Sequence, residues 1–170
     1  EGKKWPWLEA YARASEMVSQ MLDKKVNCLQ TTSCGRLFDA VSALLGLCQR
    51  IEYEAQAAVR LEHLQNRNEE GVYDCPWSYR QDMLILDTAQ LFAQVSNEWG
   101  KGIPPAVISR RFHLGLINGL ADWAQAASRR TGIKHMALSG GVMQNTTLAE
   151  RLPALLQKRG LTPLTHRFLP

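Results

Sequence analysis

A glycine-rich segment is the part of this sequence best suited to bind an anion. It covers Ser139–Asn145, reads SGGVMQN, and lies between an apolar run at 135–138 and leucines at helical spacing from Leu148 onward. Glycine leaves no side chain between the main-chain N–H groups and a ligand, and a helix N-terminus adds unpaired donors with a partial positive charge. The pattern favours a phosphate-binding turn, but a lone glycine pair fits equally a strand-to-helix turn that binds nothing.

Composition and charge narrow the class of protein. The 170 residues are 45% hydrophobic and 21% charged, which is typical of a globular domain. The net charge is +4, but the Lys and Arg pairs, Arg110-Arg111 among them, are scattered and not interleaved with aromatic residues. We interpret these pairs as solvated helix faces and expect no nucleic-acid partner. No apolar run approaches the roughly 18 residues of a membrane span, so we expect no membrane partner either.

Cysteine and histidine spacing does not suggest a metal site. Cys28, Cys34, Cys48 and Cys75 form no C-x-x-C pair, and the four histidines lack the spacing of metal ligands. The sequence therefore predicts no metal ligands within this chain. It shows neither a signal peptide nor a high cysteine density, which favours reduced thiols and a cytoplasmic location.

Hydrophobic periodicity predicts a helix-rich chain of the α/β or α+β class. The predicted helices cover about 8–23, 34–48, 54–65, 87–99, 105–130 and the region after 145, and the predicted extended segments are 72–76, 83–86, 134–138 and 162–167. Pro153 is expected to kink the last helix or split it in two. The strand, turn, helix, strand order at the carboxy-terminal end favours a parallel pair joined by a right-handed crossover.

Four motifs in a fixed order make a family recognisable. They cover residues 32–47, 53–58, 111–113 and 138–145, reading TSCGRLFDAV with LLGL, YEAQAA, RFH and LSGGVMQN. In this order and at these distances they resemble the carbamoyltransferase family HypF. The resemblance covers nearly the whole chain and corresponds to the carboxy-terminal part of that family's Kae1-like domain, a member of the actin-like ATPase (ASKHA) superfamily.

The resemblance implies a fold and a domain assignment. The expected fold is helix-rich α/β, one lobe of an actin-like ATPase domain with added helices. Residues 1–170 would form a partial Kae1-like carbamoyltransferase domain, a fragment without the amino-terminal part and the end of that domain.

The resemblance also implies an activity. Members of the family use carbamoyl phosphate and ATP to form carbamoyl-adenylate, and transfer the carbamoyl group to the carboxy-terminal cysteine of the partner protein HypE. That group becomes the cyanide ligands of [NiFe] hydrogenase. The ligands of a divalent metal are expected outside this chain, and zinc in domains that are absent here. We therefore expect this chain alone to be inactive, and assign it no catalytic residue.

The motifs imply a set of nucleotide-binding residues. Gly140 and Gly141 would approach the adenylate, and Asn145 would hydrogen-bond it, act as a helix N-cap, or do both. Asp39 would accept hydrogen bonds from both ribose hydroxyls; the alternative is a solvated helix carboxylate. Glu54 is a further candidate, although the family usually has glycine where this chain has Ala55.

Three side features carry open alternatives. Arg36 would neutralise a carboxylate or orient the loop, and the equal alternative is a surface salt bridge. His113 is interpreted as a packed or capped histidine rather than a catalyst. The glycine and Phe-Asp signals are shared with the Kae1-type tRNA threonylcarbamoyl transferases, and the adenylate chemistry with antibiotic O-carbamoyltransferases. A non-catalytic interaction module is the alternative from a different class.

Overall fold

Six helices and four short strands make up residues 9–166, the part of the chain that the computed structural model describes. The helices are α1 (Ala12–Asp23), α2 (Cys34–Leu44), α3 (Gln56–His63), α4 (Thr88–Gly100), α5 (Pro105–Thr131) and α6 (Thr146–Lys158). The strands are β1 (Trp77–Arg80), β2 (Met83–Leu86), β3 (His135–Leu138) and β4 (Thr162–Thr165). The helix-rich α/β class predicted from the sequence is confirmed.

Two separate two-stranded sheets are present in this part of the chain. β3 and β4 pair in parallel, with His135 opposite Thr162 and Leu138 opposite Thr165, and α6 forms the crossover between them. The predicted parallel pair is therefore confirmed, although β4 ends at Thr165 and the predicted residue 167 lies outside the described range. β1 and β2 form an antiparallel hairpin. Its two loop residues, Gln81 and Asp82, both have positive φ, as a tight two-residue hairpin turn requires.

The predicted extended segment 72–76 joins neither sheet and packs on α5 instead. A methyl group built on Gly115 would lie 2.5 Å from the carbonyl oxygen of Tyr73, and one on Gly119 would lie 2.5 Å from that of Cys75. The two glycines of α5 thus allow the segment to approach the helix closely. The side-chain amide of Gln94 in α4 accepts a hydrogen bond from the backbone N–H of Asp74 and donates one to the backbone carbonyl of Asp74.

Several helix ends differ from the prediction for local reasons. α2 ends at Leu44 rather than near Cys48, because Gly46 has φ 74° and the N–H groups of Gly46 and Leu47 bond back to the carbonyls of Ala43 and Ser42. This is the Schellman arrangement that ends a helix. α1 begins at Ala12 after a single 3-10 turn at 9–11 and buries none of its residues; the predicted Leu8 lies outside the described range.

α6 is one continuous helix that contains Pro153, so of the two predicted outcomes, a kink or a split, the split is wrong. Proline in a helix interior costs about 3 kcal/mol through the lost hydrogen bond and a steric clash. Three leucines on one side of α6, Leu148, Leu152 and Leu156, are buried with at most 3% exposure. Burying a leucine contributes roughly 1.5–3 kcal/mol, so their packing offsets the cost of the proline.

The core is built around α5, and it is more extensive than the periodicity predicts. The helical periodicity predicts an apolar core stripe on α5. Its first three residues, Ile108, Phe112 and Leu116, are buried, whereas Leu120, Trp123 and Ala127 are half-buried. The interpretation of Arg110 as a solvated residue is wrong, because its side chain is 4% exposed and donates hydrogen bonds to the Glu69 carbonyl and to Gln65 Oε1. Its neighbour Arg111 bonds the carboxylates of Glu69 and Glu98.

His113 lies in this core as an uncharged residue. It is 0% exposed, and its Nδ1 lies 2.7 Å from the carbonyl oxygen of Ser109. Burial is the largest influence and lowers the pKa of His113 from 6.5 to about 4, against the opposing effects of the Ser109 hydrogen bond and of Glu62; the charge on Arg110 lowers the pKa further. The interpretation of His113 as a packed residue is confirmed.

The buried histidine predicts a pH dependence of stability. Because the pKa of His113 is lower in the folded state, the stabilisation is complete above pH 6.5 and is lost as the pH falls towards about 4. Within that window this residue should lower the free energy of unfolding by about 1.4 kcal/mol per pH unit. Urea unfolding between pH 7 and pH 4.5 measures the slope. In the variant His113→Gln the free energy of unfolding should depend less steeply on pH over the same window. Equal slopes in the parent and the variant would contradict the lowered pKa of His113.

Ala55 predicts a stabilising substitution. It precedes α3 with φ 63°, a left-handed conformation that costs a residue with a side chain roughly 1–2 kcal/mol. The variant Ala55→Gly should therefore raise the free energy of unfolding, by about 0.5–1 kcal/mol once the greater entropy of unfolded glycine is included. Denaturant unfolding measures the change. As a control, Ala57→Gly inside α3 should destabilise by about 1 kcal/mol; a loss of stability in both variants would contradict the prediction.

Candidate functional site

A small cavity opens where α2, α3 and the glycine-rich segment meet. Its volume is about 140 Å³. Most of its lining is apolar and comes from α2, from α3 with the residue before it, and from the turn before α6. The lining residues are Phe38, Ala55, Ala58, Val59, Glu62, Gly141, Val142, Gln144 and Asn145. Two of the sequence-predicted site residues, Gly141 and Asn145, therefore lie in the cavity wall.

The glycine turn leaves open space beside its backbone. Gly140 has φ 98°, and a Cβ atom added at Gly140 or Gly141 would meet nothing within 4 Å. A 3-10 turn at Gly141–Gln144 separates the glycines from α6, which begins at Thr146. The start of α6 after Asn145 agrees with the helix predicted for the region after 145.

The N-terminus of α6 is already capped from two directions. Asn145 is the N-cap residue, and its Oδ1 accepts from the N–H of Leu148 at 3.1 Å. Glu62 of α3 accepts from the N–H of Thr146 at 2.8 Å and from the hydroxyl of the same residue. The expectation that this helix end adds unpaired donors for a phosphate is therefore only partly met, because two of its first donors are occupied.

Asn145 is held on both sides of its amide. It is 7% exposed, and its Nδ2 lies 3.1 Å from Nε2 of His113. A primary amide has two donors and an oxygen with two lone pairs. The contacts to His113 and Leu148 use one donor and one lone pair, so one of each remains for a ligand in the cavity. The N-cap role is observed, and the ligand role stays a prediction.

Asp39 and Glu54 do not line the cavity. Asp39 follows the cavity residue Phe38 on α2, and its carboxylate forms an ion pair with Arg36 at 3.1 Å. Its side chain is 28% exposed and that of Arg36 is 66% exposed, so both alternatives for Arg36 describe the same surface ion pair. Glu54 is exposed, and only its neighbour Ala55 reaches the cavity wall.

The edge of the parallel sheet brings a further pair of polar residues to the glycine turn. Ser139 follows β3 and His166 follows β4, and Ser139 Oγ lies 3.0 Å from Nε2 of His166. The two residues meet because the carboxyl ends of parallel strands lie at one edge of the sheet. Sequence reasoning did not find this pair, nor the contribution of Phe38 and Glu62 to the cavity.

The described residues offer no thiolate nucleophile and no metal centre at this site. Burial raises the pKa of Cys34, at the start of α2, to about 11, so its thiol is protonated at neutral pH. Within residues 9–166 no group of three or more His, Cys, Asp or Glu side chains is placed to hold a metal ion. None of the helices in that range is long and apolar enough to cross a membrane.

Comparison with known proteins identifies the family. Residues 2–170 match the family model described as "Carbamoyltransferase, Kae1-like Domain, second subdomain". The chain is 36% identical over 172 residues to carbamoyltransferase HypF of Rhizobium leguminosarum bv. viciae, covering 98% of this chain and 21% of the relative. It is 35% identical over 162 residues to a carbamoyltransferase HypF homolog of Cupriavidus necator, covering 91% of this chain and 41% of the relative.

Solved structures agree with the sequence matches. Full-length HypF in the phosphate- and nucleotide-bound form superposes with a TM-score of 0.84 at 32% identity, covering 91% of this chain and 20% of that one. HypF of T. kodakarensis gives a TM-score of 0.72 at 25% identity, covering 88% and 19%. The chain thus spans about a fifth of these structures, and it belongs to the HypF carbamoyltransferase family as the second subdomain of the Kae1-like domain.

Proposed function

We propose that this chain forms one wall of the nucleotide cleft of an ATP-dependent carbamoyltransferase. The complete protein would make carbamoyl-adenylate from carbamoyl phosphate and ATP, and transfer the carbamoyl group to the carboxy-terminal cysteine of HypE during [NiFe] hydrogenase maturation. The observation that carries the proposal is the cavity between α2, α3 and the glycine turn, with the open backbone of Gly141 on one side. The matched HypF structure, whose description names a bound phosphate and nucleotide, supports this class of ligand.

The cavity suits the nucleoside part of the ligand. Phe38, Ala58 and Val59 supply apolar surface, and Asn145 supplies a polar group at the other side. A volume of about 140 Å³ is smaller than the roughly 300–1,000 Å³ of sites that bury a drug-sized ligand. This chain therefore contributes part of the site, and the remaining contacts come from other parts of the complete protein.

The glycine turn and Asp39 take the polar parts of the nucleotide. A side chain added at Gly140 or Gly141 would meet open space, and the main-chain N–H groups of this turn would bind a phosphate oxygen. Asp39, the residue after Phe38, would accept hydrogen bonds from the ribose hydroxyls. The divalent metal would take its ligands from outside residues 9–166.

This chain alone would not carry out carbamoyl transfer. Stabilising the charge on a transferring group requires hydrogen-bond donors and cations positioned around it, and this chain supplies one wall.

The relatives matched by sequence carry the name HypF. This name favours the HypE acceptor over the tRNA and antibiotic acceptors considered from the sequence.

A substitution at the glycine turn tests the nucleotide site. In the complete protein, Gly141→Val should weaken ATP binding by about tenfold or more, or about 1.4 kcal/mol, because the side chain fills the cavity. Gly141 has no positive φ, and a Cβ atom added there would meet no neighbour within 4 Å. The melting temperature of the Gly141→Val variant should therefore stay close to that of the parent. Gly140→Val is the matched control, since its φ of 98° should also cost about 1–3 kcal/mol of stability. Isothermal titration with ATP and thermal melts separate the two effects; unchanged ATP binding by both variants would make the turn purely structural.

Asp39→Ala tests the ribose contact. The variant should bind ATP about tenfold more weakly, and it should lose the preference of the parent for ATP over 2′-deoxy-ATP, because the hydroxyls then have no acceptor. Arg36→Gln is the control, since it removes the ion pair and keeps the carboxylate. Equal losses in Asp39→Ala and Arg36→Gln, or an unchanged preference for ATP in Asp39→Ala, would contradict the ribose role.

A further inference from the structure

His113 lies behind the cavity wall, in direct contact with Asn145, which lines the cavity. We propose that His113 is a positioning residue, whose Nε2 lone pair fixes the orientation of the Asn145 amide at the nucleotide cavity. The inference rests on the proposed nucleotide site and adds to it a residue that touches no ligand itself.

The hydrogen bonds of the ring determine which nitrogen carries the proton. A carbonyl oxygen only accepts, so Nδ1, at 2.7 Å from the Ser109 carbonyl oxygen, carries the hydrogen. The neutral ring then has its lone pair on Nε2, and this lone pair accepts from the Asn145 Nδ2 group at 3.1 Å. A continuous set of hydrogen bonds thus runs from the backbone of α5 to the amide at the start of α6.

The orientation of the amide is fixed at both ends. The N–H of Leu148 requires an oxygen opposite it, and Asn145 Oδ1 lies there at 3.1 Å. The lone pair of His113 requires a donor, and Asn145 Nδ2 provides it. Rotating the amide by half a turn would set two N–H donors against each other and an oxygen against a lone pair, so only one orientation satisfies both partners.

Packing prevents the ring from adjusting. His113 is 0% exposed, and its ring lies edge-to-face with Phe38 at 5.3 Å and with Phe112 at 5.5 Å between centroids. Phe38 also lines the cavity. The histidine therefore supports two residues of the cavity wall, one by a hydrogen bond and one by ring contact.

Two substitutions test the two nitrogens of the His113 ring separately. Asparagine places an amide N–H near the position of Nδ1 and has no acceptor for Asn145, whereas glutamine places an oxygen near Nε2. In the complete protein, His113→Asn should bind ATP at least about tenfold more weakly than the parent, and His113→Gln should stay within about threefold. Val95→Ala, a buried substitution in α4 outside the cavity wall, controls for lost stability alone.

The double variant tests whether His113 acts through Asn145. Asn145→Ser keeps a good N-cap residue and removes the amide. Adding His113→Asn to Asn145→Ser should then change ATP affinity by less than about twofold, because the group that His113 positions is gone. An independent reading comes from long-range ¹H–¹⁵N correlation spectra of the parent protein, which should show the hydrogen on Nδ1 of His113 and a bare Nε2, whatever the variants do.

The outcomes separate this inference from the proposed function. Absence of ATP binding by the parent protein would overturn both. ATP binding by the parent together with near-normal binding by His113→Asn would overturn the positioning role alone. So would additive losses in the double variant, a hydrogen on Nε2, or losses in His113→Asn and His113→Gln that simply follow their melting temperatures as Val95→Ala does.

Discussion

The burial of α5 is the constraint on which the rest of this structure depends. Its middle is enclosed on almost all sides, with Phe112, His113 and Ile117 each at most 2% exposed. Tight packing of this kind leaves little freedom for a side chain to change its rotamer. Because His113 projects from this helix towards the start of α6, the geometry of the candidate site follows from the packing of the core.

A half-buried charge network fixes the segment that crosses α5. Arg111 bonds Glu98 on α4 and Glu69 in the loop before β1. Tyr73 donates to Glu98 at 2.6 Å, and Glu69 accepts from the N–H of Gly71 at 2.6 Å. Removing the arginine would leave two partly buried carboxylates without a cation, which is more costly than the net contribution of the pairs. The network therefore fixes the path of the loop more than it adds to the free energy of unfolding.

Local signals in the sequence predicted the elements, and distant contacts decided the site. The stripe Ile108–Phe112–Leu116 and the strand order at the carboxy-terminal end were enough to predict α5 and the parallel pair. The burial of Arg110, by contrast, depends on a loop about forty residues away, and a polar face gives no sign of it. Gly141 and Asn145 could be predicted as site residues because glycine is typical of sharp turns and asparagine of helix N-caps. Glu62 was not predicted, because it caps α6 across 84 residues and a glutamate in a helix is usually a solvated surface residue.

The glutamate at the cavity wall sets a direction for any ligand that enters. The Glu62 carboxylate lines the cavity and takes up the positive end of the α6 dipole. A triphosphate group in the same space would meet a negative charge at close range. The uncharged end of an incoming molecule is therefore the end that the cavity accepts, and the charged end is left towards the glycines and the solvent.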